Sequence, residues 1–232
     1  SNNNVAVGGV VSATYAVAIG FEALKSNTSG YANSAVGYRA LKTNTTGWNS
    51  TALGKNSLFS NTTGADNFAG GTVAAYSNTT GSANTTLGSF SLYNNTTGYD
   101  NTTLGYVALK NNVSGDYNTA VGSRAGEVLN TDSNSNTFIG TSADTTAGTT
   151  INNSTAIGSG AIVIASNTFQ LGDSSITLVN TSGIVSATGG NFSGTVTATK
   201  FSGDGSGLTG VSTNTHLDSN NNVAVGGVVS AT

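Results

Sequence analysis

Proline, cysteine and methionine do not occur in these 232 residues, and each absence removes an option. Without cysteine there is no disulfide framework and no thiolate metal site. The lack of methionine, even at position 1, is expected of a chain that was processed or excerpted from something longer. Charged residues make up only 7% of the chain and the formal net charge is -3, far below the roughly 25% charged of ordinary soluble domains. Such sparse, balanced charge offers no electrostatic footprint for nucleic acid. No apolar run approaches the roughly 18 residues of a membrane span, and no signal peptide opens the chain.

Catalytic chemistry is equally thin. The one histidine, His216, stands two residues from Asp218 in a polar stretch with no nucleophile elbow. Gly205-Ser-Gly-Leu-Thr-Gly210 has the letters of a phosphate-binding loop, but no helix former follows it and no lysine accompanies it. Asp66, Asp100, Asp116, Asp132, Asp144, Asp173, Asp204 and Asp218 are scattered, and none takes the D-x-D spacing of a calcium loop. The chain therefore reads as non-enzymatic, with no catalytic residue, metal or cofactor expected.

What is present is repetition. The phrase Asn-Thr-Thr-Gly, or a close variant, returns every 17 residues, with glycines at Gly30, Gly47, Gly64, Gly81, Gly98 and Gly115. A second phrase, small-aliphatic-Gly, keeps the same step at Gly20, Gly37, Gly54, Gly71, Gly88, Gly105 and Gly122. Two glycine series locked in one period mean two turns per unit, the mark of a stacked architecture. The interiors are rich in Gly, Thr, Asn and β-branched residues, and no 3.6-residue apolar stripe persists, so short strands rather than helices are expected. The fold class is all-β: a parallel β-solenoid, or β-roll, with 17-residue coils. In such a stack each residue lies about 4.8 Å above its copy, which explains why every column keeps its size. Asn-Thr-Thr-Gly would suit a corner through positive φ at the glycine and an Asn side chain bonded to its own backbone two residues on.

The columns also bear on assembly. Ala18, Ala35 and Ala52 form one column, and Ile19, Val36 and Leu53 the next. Successive strand residues point to opposite faces, so one of the two must look outward. Ala23 with Leu24, and Ala40 with Leu41, raise the same problem on the second strand expected in each coil. A thin coil that is apolar on both sides needs cover, and another copy of the same chain repeats the contact at every coil.

After Gly122 the period loosens, with strand phrases ending at Gly140, Gly158 and Gly172. Three regions follow: solenoid repeats over 1–172, a β-rich stem or connector over 173–218, and at 219–232 the start of a further repeat. The last rests on identity, since Ser1–Thr14 returns letter for letter as Ser219–Thr232, an offset of 218. Tandem repeats of 218 residues are the expected parent.

The segment Asn33-Ser-Ala-Val-Gly-Tyr-Arg-Ala-Leu-Lys-Thr-Asn-Thr-Thr-Gly47 resembles the repetitive fibre regions of phage and viral tail-fibre-like proteins. Its small-aliphatic-glycine phrase is similar to the head repeats of trimeric autotransporter adhesins. Val196-Thr-Ala-Thr-Lys-Phe-Ser-Gly-Asp-Gly-Ser-Gly-Leu-Thr-Gly-Val211 is similar to the stem motif of phage fibres. The resemblance implies a homotrimer and a structural role in an extracellular fibre or filament, on a cell surface or virion.

Other readings attach to particular residues. Asn27, Asn44, Asn61, Asn78, Asn95 and Asn112 each begin an Asn-x-Ser/Thr glycosylation sequence, although the same letters are what a stacked turn wants. Tyr31, Trp48 and Tyr99 follow the corner glycine, while Phe59, Tyr76 and Tyr93 follow the Leu column. Such rings either fill gaps between chains or stack on sugars, the second making the chain a glycan-binding adhesin module with a cell-surface glycan as partner. The Thr45, Thr62, Thr79 and Thr96 column raises an ice-binding solenoid as a further alternative, against which stands its place at a corner. Leu41 or Leu92 replaced by Asp is expected to loosen assembly, and a change at His216 to do nothing.

Overall fold

The computed structural model describes residues 5–7, 15–176, 178–182, 224–225 and 228–229. The chain divides into two compact units, Ser1–Val179 and Asn180–Thr232. The expected connector and His216 lie largely outside the described residues.

The first unit is the expected parallel β-solenoid. Eleven short strands form one sheet: β1 (Val5–Val7), β2 (Val17–Ile19), β3 (Ser34–Val36), β4 (Thr51–Leu53), β5 (Phe68–Gly70), β6 (Thr85–Leu87), β7 (Thr102–Leu104), β8 (Thr119–Val121), β9 (Thr137–Ile139), β11 (Thr155–Ile157) and β13 (Phe169–Leu171). Every pairing is parallel, with like residues opposite: Ala18 against Ala35, Ala35 against Ala52, Ala52 against Ala69. Two further strands, β10 (Asp144–Thr145) and β12 (Ile162–Val163), make a small second sheet in the looser coils. In the second unit β14 (Ala224–Val225) and β15 (Val228–Val229) pair antiparallel.

A single coil explains the rest. Its three-residue strand ends at the second-phrase glycine, which takes a φ near 140° at Gly37 and Gly54 that only glycine adopts at ease. The segment after it is not a strand. Arg39 and Leu41 sit in the left-handed region at φ 57° and 49°, as do Asn56 and Leu58 one coil on. Each such residue costs about 1–2 kcal/mol in isolation. Hydrogen bonds to the neighbouring coils offset this: Arg39 N–H donates to the Phe21 carbonyl at 2.8 Å and Leu41 N–H to the Ser57 carbonyl at 3.0 Å.

That backbone answers the question of the paired columns. Strand alternation holds at the first pair, where Ala18 is fully buried and Ile19 exposed. It fails at the second, because the left-handed Leu lets both Ala23 and Leu24 turn inward, and both are fully buried. The core is thus closed within one chain, with the strand alanines of one wall facing the Leu column of the other. Leu41 and Leu92 belong to it, which corrects the expectation that they serve assembly.

Exceptions to the columns compensate one another. Phe138 occupies an alanine position and is buried, and Gly126 replaces leucine opposite it. A Cβ on Gly126 would stand 3.0 Å from the Phe138 ring. Thr103 likewise replaces alanine, and its hydroxyl accepts a 2.7 Å hydrogen bond from Ser91, itself in an alanine column.

Candidate functional site

The corner is built from asparagine. Asn44 Nδ2 donates to the Gly47 carbonyl at 2.9 Å and to Asn27 Oδ1 at 2.7 Å, and Asn44 Oδ1 accepts from Asn61 Nδ2 at 2.8 Å. The same pattern runs on through Asn78, Asn95 and Asn112. A second ladder converges on it, in which Asn33 Nδ2 reaches the Gly47 carbonyl at 2.8 Å and Asn33 Oδ1 accepts the Ser50 N–H at 2.9 Å. The sequence signal of the second ladder is a polar column six residues after the corner asparagine, Asn33, Ser50, Asn67, Asn84, Asn101 and Asn118, asparagine in all but one coil.

This geometry corrects two expectations. The corner asparagine bonds the carbonyl three residues on, and corner glycines such as Gly47 and Gly64 are not among the positive-φ glycines. They are glycine because the next corner carbonyl leaves no room for a Cβ. The six candidate glycosylation sites, Asn27, Asn44, Asn61, Asn78, Asn95 and Asn112, are all buried. From Asn44 onward their amide hydrogens are spent on the ladder, so a sugar on that nitrogen is incompatible with the folded corner.

The threonine corner is also used internally. Thr45 Oγ1 donates to the Thr62 carbonyl, Thr62 to Thr79 and Thr79 to Thr96, all at 2.9–3.0 Å.

Of the aromatic candidates, Tyr31 and Trp48 stack with nearly parallel rings at 5.8 Å. Tyr99 lies three coils further along the column, past Ala65 and Ser82, and meets Tyr117 edge-on at 5.1 Å. Its hydroxyl is pushed up to about 12 by the hydrogen bond with Tyr117 and by the nearby Asp116 carboxylate. Phe59, Tyr76 and Tyr93 form another stack, at 5.0 and 5.3 Å, and Phe21 stacks on Tyr38 at 5.6 Å. Rings stacked along the axis spend their faces on one another and turn their edges outward.

Searches of protein-family models, curated proteins and solved structures gave no match. Function must be read from the surface itself.

The most extended surface feature is the outer side of the sheet. At the third strand position stand Ile19, Val36, Leu53, Leu87, Leu104, Ile139 and Leu171, each 36–47% exposed, with Val121 and Ile157 half-buried in the same column. Two positions earlier runs a column of Thr51, Thr85, Thr102, Thr119, Thr137 and Thr155, with Val17, Ser34, Phe68 and Phe169 as exceptions. Neither column holds a charged residue. At β5 the two exchange roles, with Phe68 in the threonine column and Gly70 in the aliphatic one, where a Cβ would meet Leu87 Cδ1 at 2.7 Å. The apolar surface is displaced there but not interrupted.

Charge is gathered elsewhere. Glu22 receives Lys25, Lys42 and Arg39 at 2.6, 2.8 and 2.9 Å, and these contacts hold its carboxyl down at about 2. Asp144 is the opposite case. It is buried, and desolvation pushes it up to about 6 even though it accepts N–H groups from Val128 and Thr145. Among the described residues no three of His, Cys, Asp and Glu gather as a metal site would require.

The two carboxyls give opposite pH limbs. Asp144 has a raised folded pKa, so stability falls as pH rises from about 4 to about 6. Glu22 has a lowered one, so its contribution is complete above about 4.5 and is lost as pH falls toward 2. The denaturation midpoint is therefore expected to peak near pH 4–5. Replacing Asp144 by Ala should flatten the neutral-side limb only, as urea titrations at several pH values would show.

Proposed function

We propose that this chain is a non-enzymatic structural subunit of an extracellular fibre or filament, tail-fibre-like or cell-surface, assembled as a homotrimer of tandem solenoid repeats. The observation that carries the reading is the uncharged aliphatic column on the outer sheet face. Single exposed leucines are ordinary on protein surfaces, but a continuous apolar stripe marks an interaction site. Its period is the coil period, and a partner that meets it at every step needs the same one. A second copy of this chain meets that requirement without further adjustment. Load along such a fibre would be spread over the backbone ladders and side-chain contacts of every coil.

The experiment separates assembly from folding. Leu53, Leu87 and Leu104 all replaced by Asp should give a monomer in sedimentation velocity, with the far-ultraviolet dichroism of the parent trimer retained. Leu41→Asp, by contrast, places its charge in the core and should unfold the coil around it, at about 3 kcal/mol or more. A parent chain that sediments as a folded monomer at all accessible concentrations would remove the reading.

A further inference from the structure

A face that repeats at every coil leaves one thing open, the height at which two copies meet. The levels from β2 to β8 follow one another at about 4.8 Å, in parallel and without offset. Two copies shifted by one coil along the axis would keep nearly all of their contacts. Such a shift matters, because a contact repeated by rotation alone closes into a ring, whereas one that carries a translation builds an open helical array. A symmetric trimer therefore calls for a level that differs from those above and below it.

The β5 strand is such a level. Its flanking strands carry Thr51 with Leu53 and Thr85 with Leu87, whereas β5 carries Phe68 with Gly70. The departure is confined to the outer side, since Ala69 between them is fully buried in the alanine column, as Ala35 and Ala52 are. Neither backbone nor core asks for it. Gly70 is not among the positive-φ glycines, and the ladder keeps its register on both sides of β5. Phe68 is exposed, and its Cε1 lies 3.6 Å from where a Cβ on Gly70 would stand, so the ring leans over the place of the missing side chain. Glycine here answers to a large neighbour, and that neighbour answers to nothing inside the coil.

We infer that Phe68 and Gly70 fix the axial register of the assembly, so that the β5 level of each copy meets the β5 level of its neighbours. The inference rests on the homotrimer proposed above and names the residues that select the height of its contacts. In register, the Phe68 rings of all copies gather at one level about the axis, and the Gly70 positions leave them room. One coil out of register, each ring would press on full-sized side chains of a neighbour, Thr51 and Leu53 or Thr85 and Leu87, which overfills the contact.

The test moves the mark and reads the height by cross-linking. A shifted chain carries Phe68→Thr, Gly70→Leu, Thr85→Phe and Leu87→Gly, which transfers ring and glycine to β6. An unmarked chain carries only Phe68→Thr and Gly70→Leu, which restores the residues of the neighbouring coils and leaves the core untouched. Isotope-labelled parent with Thr119→Cys is refolded with an unlabelled chain that carries Thr102→Cys, Thr119→Cys or Thr137→Cys, one coil apart from one another. A short bis-maleimide joins the thiols, and mass identifies the links between labelled and unlabelled chains.

Between parent chains the link from 119 to 119 should exceed those to 102 and 137 about tenfold. With the shifted chain as partner the strongest link should move by one coil, to 137, because the two marks align only in that offset. When both partners are unmarked, the three links should form at comparable rates. A strongest link that stays in place when the mark moves would overturn the inference, as would an unmarked pair that keeps the tenfold preference. A trimeric parent that gives no link would show that this face is not the interface, and a parent that sediments as a folded monomer would remove the trimer, each taking the register with it.

Discussion

Alanine in place of Gly54 is expected to cost more than about 4 kcal/mol, enough to abolish cooperative unfolding of the solenoid. Two effects add. The residue holds φ 140°, a region that L side chains rarely enter. Its new Cβ would also stand 2.5 Å from the carbonyl oxygen of Gly71 and 2.7 Å from that carbonyl carbon. Those atoms belong to the backbone of the next coil, which is itself held by the coil beyond, so no flexible side chain can give way. Gly148 provides the contrast. It has φ 79° and nothing within 4 Å of an added Cβ, so alanine there should cost only about 1 kcal/mol. Thermal and urea unfolding of the two variants, followed by circular dichroism, would compare them directly. Similar small losses at both positions would mean that coil-to-coil contact is looser than described.

Aspartate in place of Asn61 should be nearly as severe at neutral pH, although it changes the volume hardly at all. Asn61 Nδ2 donates to Asn44 Oδ1 at 2.8 Å and to the Gly64 carbonyl at 2.9 Å. A carboxylate puts an anionic oxygen against both acceptors, at a position with no exposed surface. The loss expected is about 3–5 kcal/mol, the range for an uncompensated buried charge. Because burial and two facing oxygens raise the folded-state pKa of the new group, stability should be retained best below about 4, the unfolded value, and lost as pH rises through the folded value. Protonation restores one donor, so partial recovery at pH 4 is expected. Urea midpoints for parent and variant at pH 4 and 7 give the test, and equal losses at both pH values would show that the ladder's donors are not what holds the corner.

The parts of the fold that depend on side-chain size were legible from the sequence. Ala18 and Ile19, adjacent and both apolar, had to face opposite ways on a strand, and they do, with Ile19 left exposed. The parallel register could be read from the glycine spacing, because like residues stack only when coils are equal in length. Backbone dihedrals were not legible. Nothing in the letter Leu announces φ near 50° at Leu24, Leu41 and Leu58, yet that choice decides whether the Ala–Leu pair straddles a strand or turns together into the core. The asparagines were ambiguous for a different reason. Asn-Thr-Thr-Gly is both a glycosylation sequence and a hydrogen-bonding corner, and only burial of Asn44 and Asn61 separates the two. The Phe138 and Gly126 exchange was visible as two departures from their columns, but that they compensate one another required the third dimension.

The offset-free register from β2 through β8 also bears on how such a chain can lengthen. Deletion or duplication of seventeen residues anywhere between Gly20 and Gly122 restores equivalent neighbours above and below the cut, whereas sixteen or eighteen would misalign the strand, the left-handed segment and the asparagine corner together. Unequal recombination between coils would therefore yield folded variants whose lengths differ in steps of about 4.8 Å.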